Sequence, residues 1–299
     1  MSLISIIFSQ FINGLQSGSI YALVALGYSM VYGIILLLNF AHGDIIMVGA
    51  YVAWLSMVKF GLNPFIAILL AIVSATALGS IIEKVAYAPL RSAPRLSLLI
   101  TAIGISFFLE NSAMLVFGAG AKDMSSAMSF ITGGPSISLG RVTLSFTAML
   151  TIVVSIISML ILSFLVQKTK LGKAMRAVSE DMGAAQLMGI SLNRTISFTF
   201  AVGSALAGIG SILYLCAYPQ VSPTMGSMLG LKAFVAAVLG GIGSIPGAMI
   251  GGFAIGLAEA FVSAIGLSVW KDGVVFAILI VVLLVKPTGI LGRTITEKV

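Results

Sequence analysis

Long runs of apolar residues follow one another along almost the whole chain, and they constrain the fold more than any other feature. A helix needs about 20 mainly apolar residues to cross the hydrocarbon core of a bilayer. Nine runs approach or exceed this length, so we predict nine transmembrane helices, with eight or ten as alternatives. The first run is long enough to be tilted, or broken at Gly14 or Gly18. The predicted spans are residues 6–37, 43–58, 64–86, 96–118, 143–166, 195–217, 229–242, 247–266 and 272–286.

The composition excludes a water-soluble fold. Hydrophobic residues make up 59% of the 299 residues and charged residues only 8%, whereas soluble domains carry about 25% charged residues. So few charges cannot cover a water-facing surface, which excludes a soluble enzyme, a nucleic-acid-binding domain and a disordered chain. We predict an all-α fold class, a polytopic membrane helical bundle formed by one transmembrane domain over residues 1–299.

The positions of the basic residues predict the topology, because Lys and Arg are enriched in cytoplasmic loops. Three regions contain eleven of the sixteen basic residues, and placing them inside gives an external N-terminus and a cytoplasmic C-terminus. The predicted inner residues are Lys84, Arg91 and Arg95, then Lys168, Lys170, Lys173, Arg176 and Arg194, then Lys286, Arg293 and Lys298. The predicted outer residues are Lys59, Lys122, Arg141, Lys232 and Lys271.

The inner loop at about residues 167–194 contains an amphipathic pattern. Its apolar residues recur in steps of three and four, which is helical spacing. Glycines interrupt the pattern, so we predict two short helices joined at Met182–Gly183. The apolar positions are Leu171, Ala174, Met175, Val178, Met182, Ala185 and Met188.

The apolar stripe must be covered by lipid headgroups, by the chain's own bundle or by a partner protein, and two interpretations of this loop remain open. The helices could lie in the membrane interface with their apolar face towards lipid. Alternatively, the apolar stripe could enter a groove on a soluble motor protein, for which the flexible methionines are well suited. For the second interpretation, the candidate coupling residues are Leu171, Met175, Arg176, Val178, Glu180, Met182, Ala185, Met188 and Gly189.

Three segments resemble one known family. The inner-loop sequence LGKAMRAVSEDMGAAQLMGIS, Leu171–Ser191, is similar to the coupling loop of ABC-importer permeases. The segments Asn13–Trp54, which contains NFAHGD, and Lys232–Gly252, which contains GGIGSIPGAMIGG, resemble LivH-type permeases of branched-chain amino acid importers. The GxxxxGK[S/T] phosphate-binding motif is absent from the sequence, so this chain is not expected to hydrolyse ATP itself.

The resemblance implies a type II ABC-importer fold and a set of partners. These are a homologous LivM-like permease, two cytoplasmic ABC ATPases and an external amino-acid-binding protein. ATP and Mg would be bound by the ATPases, with no cofactor on this chain. The implied location is the bacterial cytoplasmic (inner) membrane, as a multi-pass protein. The implied substrates are leucine, isoleucine and valine, with urea or amides as the alternative within the same family.

Polar residues between the first two spans are candidates for a gate. Asn39, His42 and Asp44 form the first strongly polar cluster, and Gly43 permits a tight turn. Within the segment Leu38–Asp44 they either cap the next helix at an inner loop or form a structured break that shapes the inner gate or a subunit contact.

Carboxylates inside spans are a second candidate site. Glu110, Asn111 and Glu259 interrupt apolar runs, and polar groups at membrane depth are expected to face the bundle interior. They predict helix–helix hydrogen bonds. The alternative is a proton relay through Glu110 and Glu259 in a stand-alone secondary transporter.

Glycines near the C-terminal spans indicate close helix packing. Small residues four apart let two helices approach each other, and Pro246 makes one unbroken helix through residues 240–256 unlikely. The packing candidates are Gly243, Gly247, Gly251, Gly252 and Gly256.

A membrane-embedded enzyme is the weakest class. The sequence contains one histidine and one cysteine, which are too few for a metal centre, and no motif of a catalytic nucleophile. We therefore assign no catalytic and no metal-binding residue.

Overall fold

The computed structural model describes residues 3–35, 39–91, 93–139 and 142–292, and these residues are predominantly helical. Four residues used in the sequence predictions, Leu38, Arg141, Arg293 and Lys298, lie outside these ranges. The helices are α1 Leu3–Ile35, α2 His42–Trp54, α3 Pro64–Ile82, α4 Arg95–Phe117, α5 Ser129–Thr132, α6 Phe146–Lys168, α7 Lys170–Glu180, α8 Met182–Leu187, α9 Leu192–Ala217, α10 Met225–Gly240, α11 Ile245–Ala264 and α12 Lys271–Val285.

Short irregular elements extend several helices. Helix α2 continues as a π-helical turn to Lys59, and α3 continues as another, Glu83–Tyr87. A 3₁₀ turn, Ser268–Trp270, precedes α12. Two small antiparallel pairs lie in the outer connections. The strands are β1 Lys122–Asp123 with β4 Gln220–Val221, and β2 Ile137–Leu139 with β3 Val142–Leu144.

Each predicted span corresponds to a helix, which confirms the all-α polytopic membrane bundle. Seven helices in the described part of the chain are long and apolar enough to cross a membrane. The two shortest predicted spans correspond to α2 and α10, which are buried along most of their length. The assignment of residues 1–299 to one domain stays a prediction.

Helix α1 is continuous and lies at the centre of the bundle, where it packs against α11, α9, α6 and α10. It does not break at Gly14 or Gly18. These glycines instead admit the antiparallel helix α11, because a Cβ at Gly18 would lie 2.9 Å from the carbonyl oxygen of Gly252. The outer helices expose large apolar side chains, which suit a lipid-facing surface. Examples are Phe65 on α3, Leu115 on α4, Leu160 on α6 and Leu284 on α12.

The predicted cytoplasmic regions meet at one end of the bundle. Arg91 contacts Asn193, so the loop after α3 lies beside the start of α9. At the same end, the backbone N–H of Leu291 donates to the carbonyl of Gly240, 2.9 Å away. We call this the elbow end, because α7 and α8, the elbow helices, lie there between α6 and α9.

Lys232 lies inside α10, within the predicted span 229–242, and it is only 7% exposed. Its ammonium group is tolerated there because two carboxylates, Glu259 and Asp272, lie 2.6 Å away.

Candidate functional site

Helix α2 begins deep inside the bundle. The ring of His42 packs edge-on against Tyr28, with ring centroids 4.9 Å apart. A Cβ at Gly27, well within α1, would lie 2.7 Å from Cε1 of His42. The first turn of α2 is therefore level with the interior of α1.

Helix α10 begins against this same turn. Both Gly226 and Gly230 contact Gly43 through backbone atoms, and a Cβ at Gly43 would overlap the carbonyl oxygen of Gly226. These positions need glycine because the two backbones touch without intervening side chains. The N-terminal turns of two short helices thus meet inside the bundle. We call this contact, formed by Gly43, Gly226 and Gly230, the helix junction.

Two carboxylates lie at the helix junction. Asp44 is 0% exposed, and a Cβ at Gly226 would lie 2.7 Å from its Oδ1 atom. Glu110 of α4 is also buried, and the hydroxyl of Ser227 in the first turn of α10 donates to it. The structure therefore brings the predicted residues Asp44 and Glu110 to one place.

Asn111 does not share this environment, and the expectation that it faces the interior is wrong. Successive residues of an α-helix are about 100° apart around the axis. With Glu110 inside, Asn111 therefore faces outward, where its side-chain amide donates to the carbonyl of Phe107, 2.7 Å away.

Asn39 links the helix junction to the elbow end. Its Oδ1 atom accepts a hydrogen bond from the hydroxyl of Tyr87, 2.9 Å away in the π-helical turn after α3. The Tyr87 ring packs on Phe200 of α9 with centroids 5.3 Å apart. The polypeptide that leads into α2 is therefore anchored to both α3 and α9.

A polar cluster joins the same turn to the start of α9, just beyond the elbow helices. Glu83 is fully buried and accepts hydrogen bonds from Arg91 and, at 2.6 Å, from Ser197 of α9. Arg91 also donates to Asn193, two residues beyond the link from α8 to α9. We call Glu83, Arg91, Asn193 and Ser197 the polar clasp.

Glu259 and Glu110 have different partners, and Glu259 belongs to a separate network of polar side chains. It accepts a hydrogen bond of 2.6 Å from the hydroxyl of Tyr21 and forms an ion pair of 2.6 Å with Lys232. Lys232 in turn pairs with Asp272 at the start of α12. This network ties α1, α10, α11 and α12 together, and a carboxylate paired in this way fits a helix anchor better than a proton carrier.

The predicted packing glycines all lie at backbone-to-backbone contacts. Gly247 and Gly251 of α11 approach Gly240 and Ala236 of α10. On the other side of α11, Gly252 and Gly256 approach Ala22 and Gly18 of α1. Gly243 faces Gly33 and has a φ of +88°, a left-handed conformation that favours glycine. The break expected near Pro246 falls earlier, at residues 241–244, and Pro246 lies in the first turn of α11.

The elbow consists of two helices, as predicted, but the join lies at Asp181. Asp181 ends α7 and caps α8, since its Oδ1 atom accepts from the N–H of Ala184 at 2.9 Å. The predicted join at Met182–Gly183 is displaced because an Asp N-cap defines the start of a helix more strongly than a glycine within it.

The apolar stripe of the elbow is divided between two environments. Met175, Val178 and Ala185 are buried in the main core of this chain, so their assignment to a partner-docking stripe is wrong. The helical spacing identified an apolar face, but that face packs on the chain's own bundle. Leu187 and Met188 are 91% and 82% exposed. The other predicted coupling residues are also exposed: Leu171, Arg176, Glu180, Met182 and Gly189.

Several residues of these sites were missed by the sequence interpretation. Ser227, Tyr87 and Ser197 gave no local signal, because single polar residues near helix ends are common in membrane proteins. Leu187 was missed because it lies off the helical stripe. In the described part of the chain, no three His, Cys, Asp or Glu side chains are grouped closely enough to hold a metal ion.

Comparison with known proteins identifies the family. A family model described as "Branched-chain amino acid transport system / permease component" matches residues 10–283. The chain is 44% identical to the high-affinity branched-chain amino acid transport system permease protein BraD of Pseudomonas aeruginosa, over 97% of both chains. It is also 44% identical to LivH of Escherichia coli K12, again over 97% of both. A probable LivH of Methanocaldococcus jannaschii is 30% identical over 92% of this chain and 89% of the relative.

These relatives are named as transport permeases and not as enzymes. The match extends over nearly all the spans, and it includes the elbow, the helix junction and the polar clasp. With its seven long apolar helices, this chain is a multi-pass membrane protein that belongs to the family of branched-chain amino acid transport system permease components.

Proposed function

We propose that this chain is a permease subunit of an ATP-driven importer for leucine, isoleucine and valine in the bacterial cytoplasmic membrane. The observation that carries the proposal is 44% identity, over 97% of the chain, to permeases named for this transport. The chain forms the translocation pathway together with a homologous second permease. An external binding protein delivers the amino acid.

ATP and Mg are bound by two ABC ATPase subunits, and this chain holds no cofactor. The elbow helices are the site where an ATPase docks. Leu187 and Met188 present an apolar surface beside a cleft lined by Gln186 and residues 189–193. Exposed apolar side chains next to such a cleft favour a protein contact. Arg176 and Glu180 lie exposed on the neighbouring helix α7 and would form the polar rim of that contact.

The polar clasp provides a physical connection from the elbow to the pathway. Asn193 follows α8 closely, Arg91 joins it to Glu83, and the same π-helical turn carries Tyr87, which holds Asn39. Two of these residues, Glu83 and Tyr87, are buried and have fixed partners. Movement of the elbow during ATP hydrolysis would therefore displace the segment that leads into α2, because packed and hydrogen-bonded groups move together.

Reconstitution tests the function directly. The complex would be purified from native membranes through a tag on this chain and placed in proteoliposomes with its binding protein. We expect uptake of labelled leucine that requires internal ATP and is competed by isoleucine and valine. Competition by urea or acetamide in place of these amino acids would assign the chain to the amide branch.

A protonophore separates this function from the secondary-transport alternative. With ATP held constant, dissipation of the proton gradient should leave the initial rate of leucine uptake unchanged. Glu259→Gln should also retain ATP-driven uptake, because Glu259 acts as a helix anchor beside Lys232. Uptake by the purified chain alone, without ATPases, would contradict the proposal.

A further inference from the structure

Asp44 is the least compensated charged side chain of the helix junction. Its carboxylate is 0% exposed, and no ion pair among the described residues includes it. A buried carboxylate without a positive counter-charge is costly, and such groups inside a membrane usually mark a ligand or ion site. Ser106 and Glu110 are its polar neighbours from α4.

The two helices that meet here present their N-terminal ends to this carboxylate. Neither Ala41, which precedes α2, nor Thr224, which precedes α10, gives a side-chain hydrogen bond to the first turn of its helix. The Oδ1 atom of Asp44 points onto the first turn of α10, close to Gly226. In transporters, the N-terminal ends of interrupted helices at mid-membrane are positive and face anionic groups, and here they face the Asp44 carboxylate.

The charges at the junction do not balance. Each helix N-terminus contributes roughly half a positive charge, which gives about one against the two carboxylates of Asp44 and Glu110. No ion pair among the described residues includes either carboxylate, and Lys232 is committed to Glu259 and Asp272. A deficit of about one positive charge therefore remains, which a single cationic group would supply.

We propose that Asp44, assisted by Glu110, forms a mid-membrane site for the ammonium group of the transported amino acid. This inference rests on the proposed function. The ammonium group of the amino acid supplies the missing positive charge beside these two carboxylates. In this structure the site is closed, because Gly43 and Gly226 are in backbone contact. Entry of the ligand therefore requires α10 to separate from α2.

Binding to the purified transporter tests the site without the external binding protein. The full complex of permeases and ATPases in nanodiscs would be titrated with labelled leucine. Two competitors would then be added: 3-methylbutylamine, which keeps the ammonium group of leucine, and 4-methylpentanoate, which keeps only its carboxylate. We expect the amine to compete at least tenfold better than the acid.

Substitutions assign the selectivity to named residues. Asp44→Asn should weaken leucine binding at least tenfold and abolish the advantage of the amine, and Glu110→Gln should weaken binding severalfold. Asp123→Asn, on strand β1 outside the bundle, is the matched control and should bind leucine normally. Thermal unfolding of each complex reports whether the variant assembles. If Asp44→Asn does not assemble, the relative competition by the amine and the acid on the wild-type complex still tests the proposed ammonium site.

Four outcomes would overturn the inference. These are equal competition by amine and acid, unchanged leucine binding by Asp44→Asn, an absolute requirement for Na⁺ in leucine binding, and no saturable binding by the wild-type complex. None of them affects ATP-driven leucine uptake by the wild type, which tests the proposed function separately.

Discussion

Arg91 and Asn193 form a side-chain hydrogen bond although they are 102 residues apart in sequence. The bond crosses from the loop after α3 to the first turn of α9, immediately beyond the elbow. Arg91 also pairs with Glu83, which is fully buried. The contact therefore fixes the start of α9, which directly follows the elbow, to the part of the bundle that holds Asn39 and the start of α2.

Removal of the clasp cation should destabilise the protein. Arg91→Ala leaves the buried Glu83 carboxylate without its counter-ion, which costs on the order of 3 kcal/mol. The apparent Tm of the detergent-solubilised complex should fall, and adding Glu83→Gln should restore part of it because the unpaired charge is then gone. Lys84→Ala, at an exposed position one residue further along, is the control and should leave the Tm unchanged.

The buried ion pairs of Lys232 predict a second loss of stability that another substitution should partly restore. Lys232→Met leaves Glu259 and Asp272 unpaired and should lower stability by about 3 kcal/mol. Adding Glu259→Gln should recover part of the loss, as measured by thermal unfolding. A double variant no more stable than Lys232→Met alone would show that the ion pairs do not determine the packing of α10 on α11.

The close contact at the helix junction predicts that a single methyl group added there strongly reduces transport. Gly43→Ala places a Cβ on the carbonyl oxygen of Gly226, so α2 and α10 must move apart. We expect leucine uptake to fall at least tenfold while the chain remains in the membrane. Gly104→Ala is the matched control, since a Cβ there meets no neighbour within 4 Å. Equal uptake by the two variants would contradict the close contact.

Charged substitutions at an exposed and at a buried position of the elbow should have different effects. Leu187→Glu changes an exposed residue, so the chain should fold normally while the complex loses ATP-driven uptake or hydrolyses ATP without transport. Ala185→Glu puts a charge into the buried core, where it is poorly tolerated, and should lower the amount of folded chain. The readouts are the ratio of ATP hydrolysed to leucine transported and the yield of monodisperse protein.

The sequence predicts the helices well because the bilayer imposes their length and composition. Every apolar run corresponds to a helix, but α2 and α10, the two short ones, are not among the seven helices of the described chain that are long enough to cross a membrane. Spacing alone cannot tell which partner an apolar face meets. Met175 and Val178 share a helical stripe with exposed residues but are buried in the chain's own core. That choice depends on where α7 packs, which is a tertiary property.

The residues of the candidate site can also be predicted only in part from the sequence. Asp44 and Glu110 can be recognised as costly charges in apolar runs, but their convergence depends on the depth at which α2 and α10 begin. The sequence does not reveal how the charge of Lys232 is tolerated inside a span, because its two carboxylate partners lie on α11 and at the start of α12. Only the three-dimensional packing shows that its charge is compensated.

Site-specific crosslinking tests the central claim, that ATPase subunits bind the elbow. The native Cys216 is buried, so Cys216→Ala gives a background for single cysteines at Met188 and at Val269. Val269 is 94% exposed in the connection between α11 and α12 at the opposite end of the bundle. The assembled complex would be treated with a short bifunctional thiol reagent, and the adducts would be identified by mass spectrometry. We predict adducts with an ATPase subunit from Met188→Cys and none from Val269→Cys. ATPase adducts from Val269→Cys, or from neither position, would contradict the account.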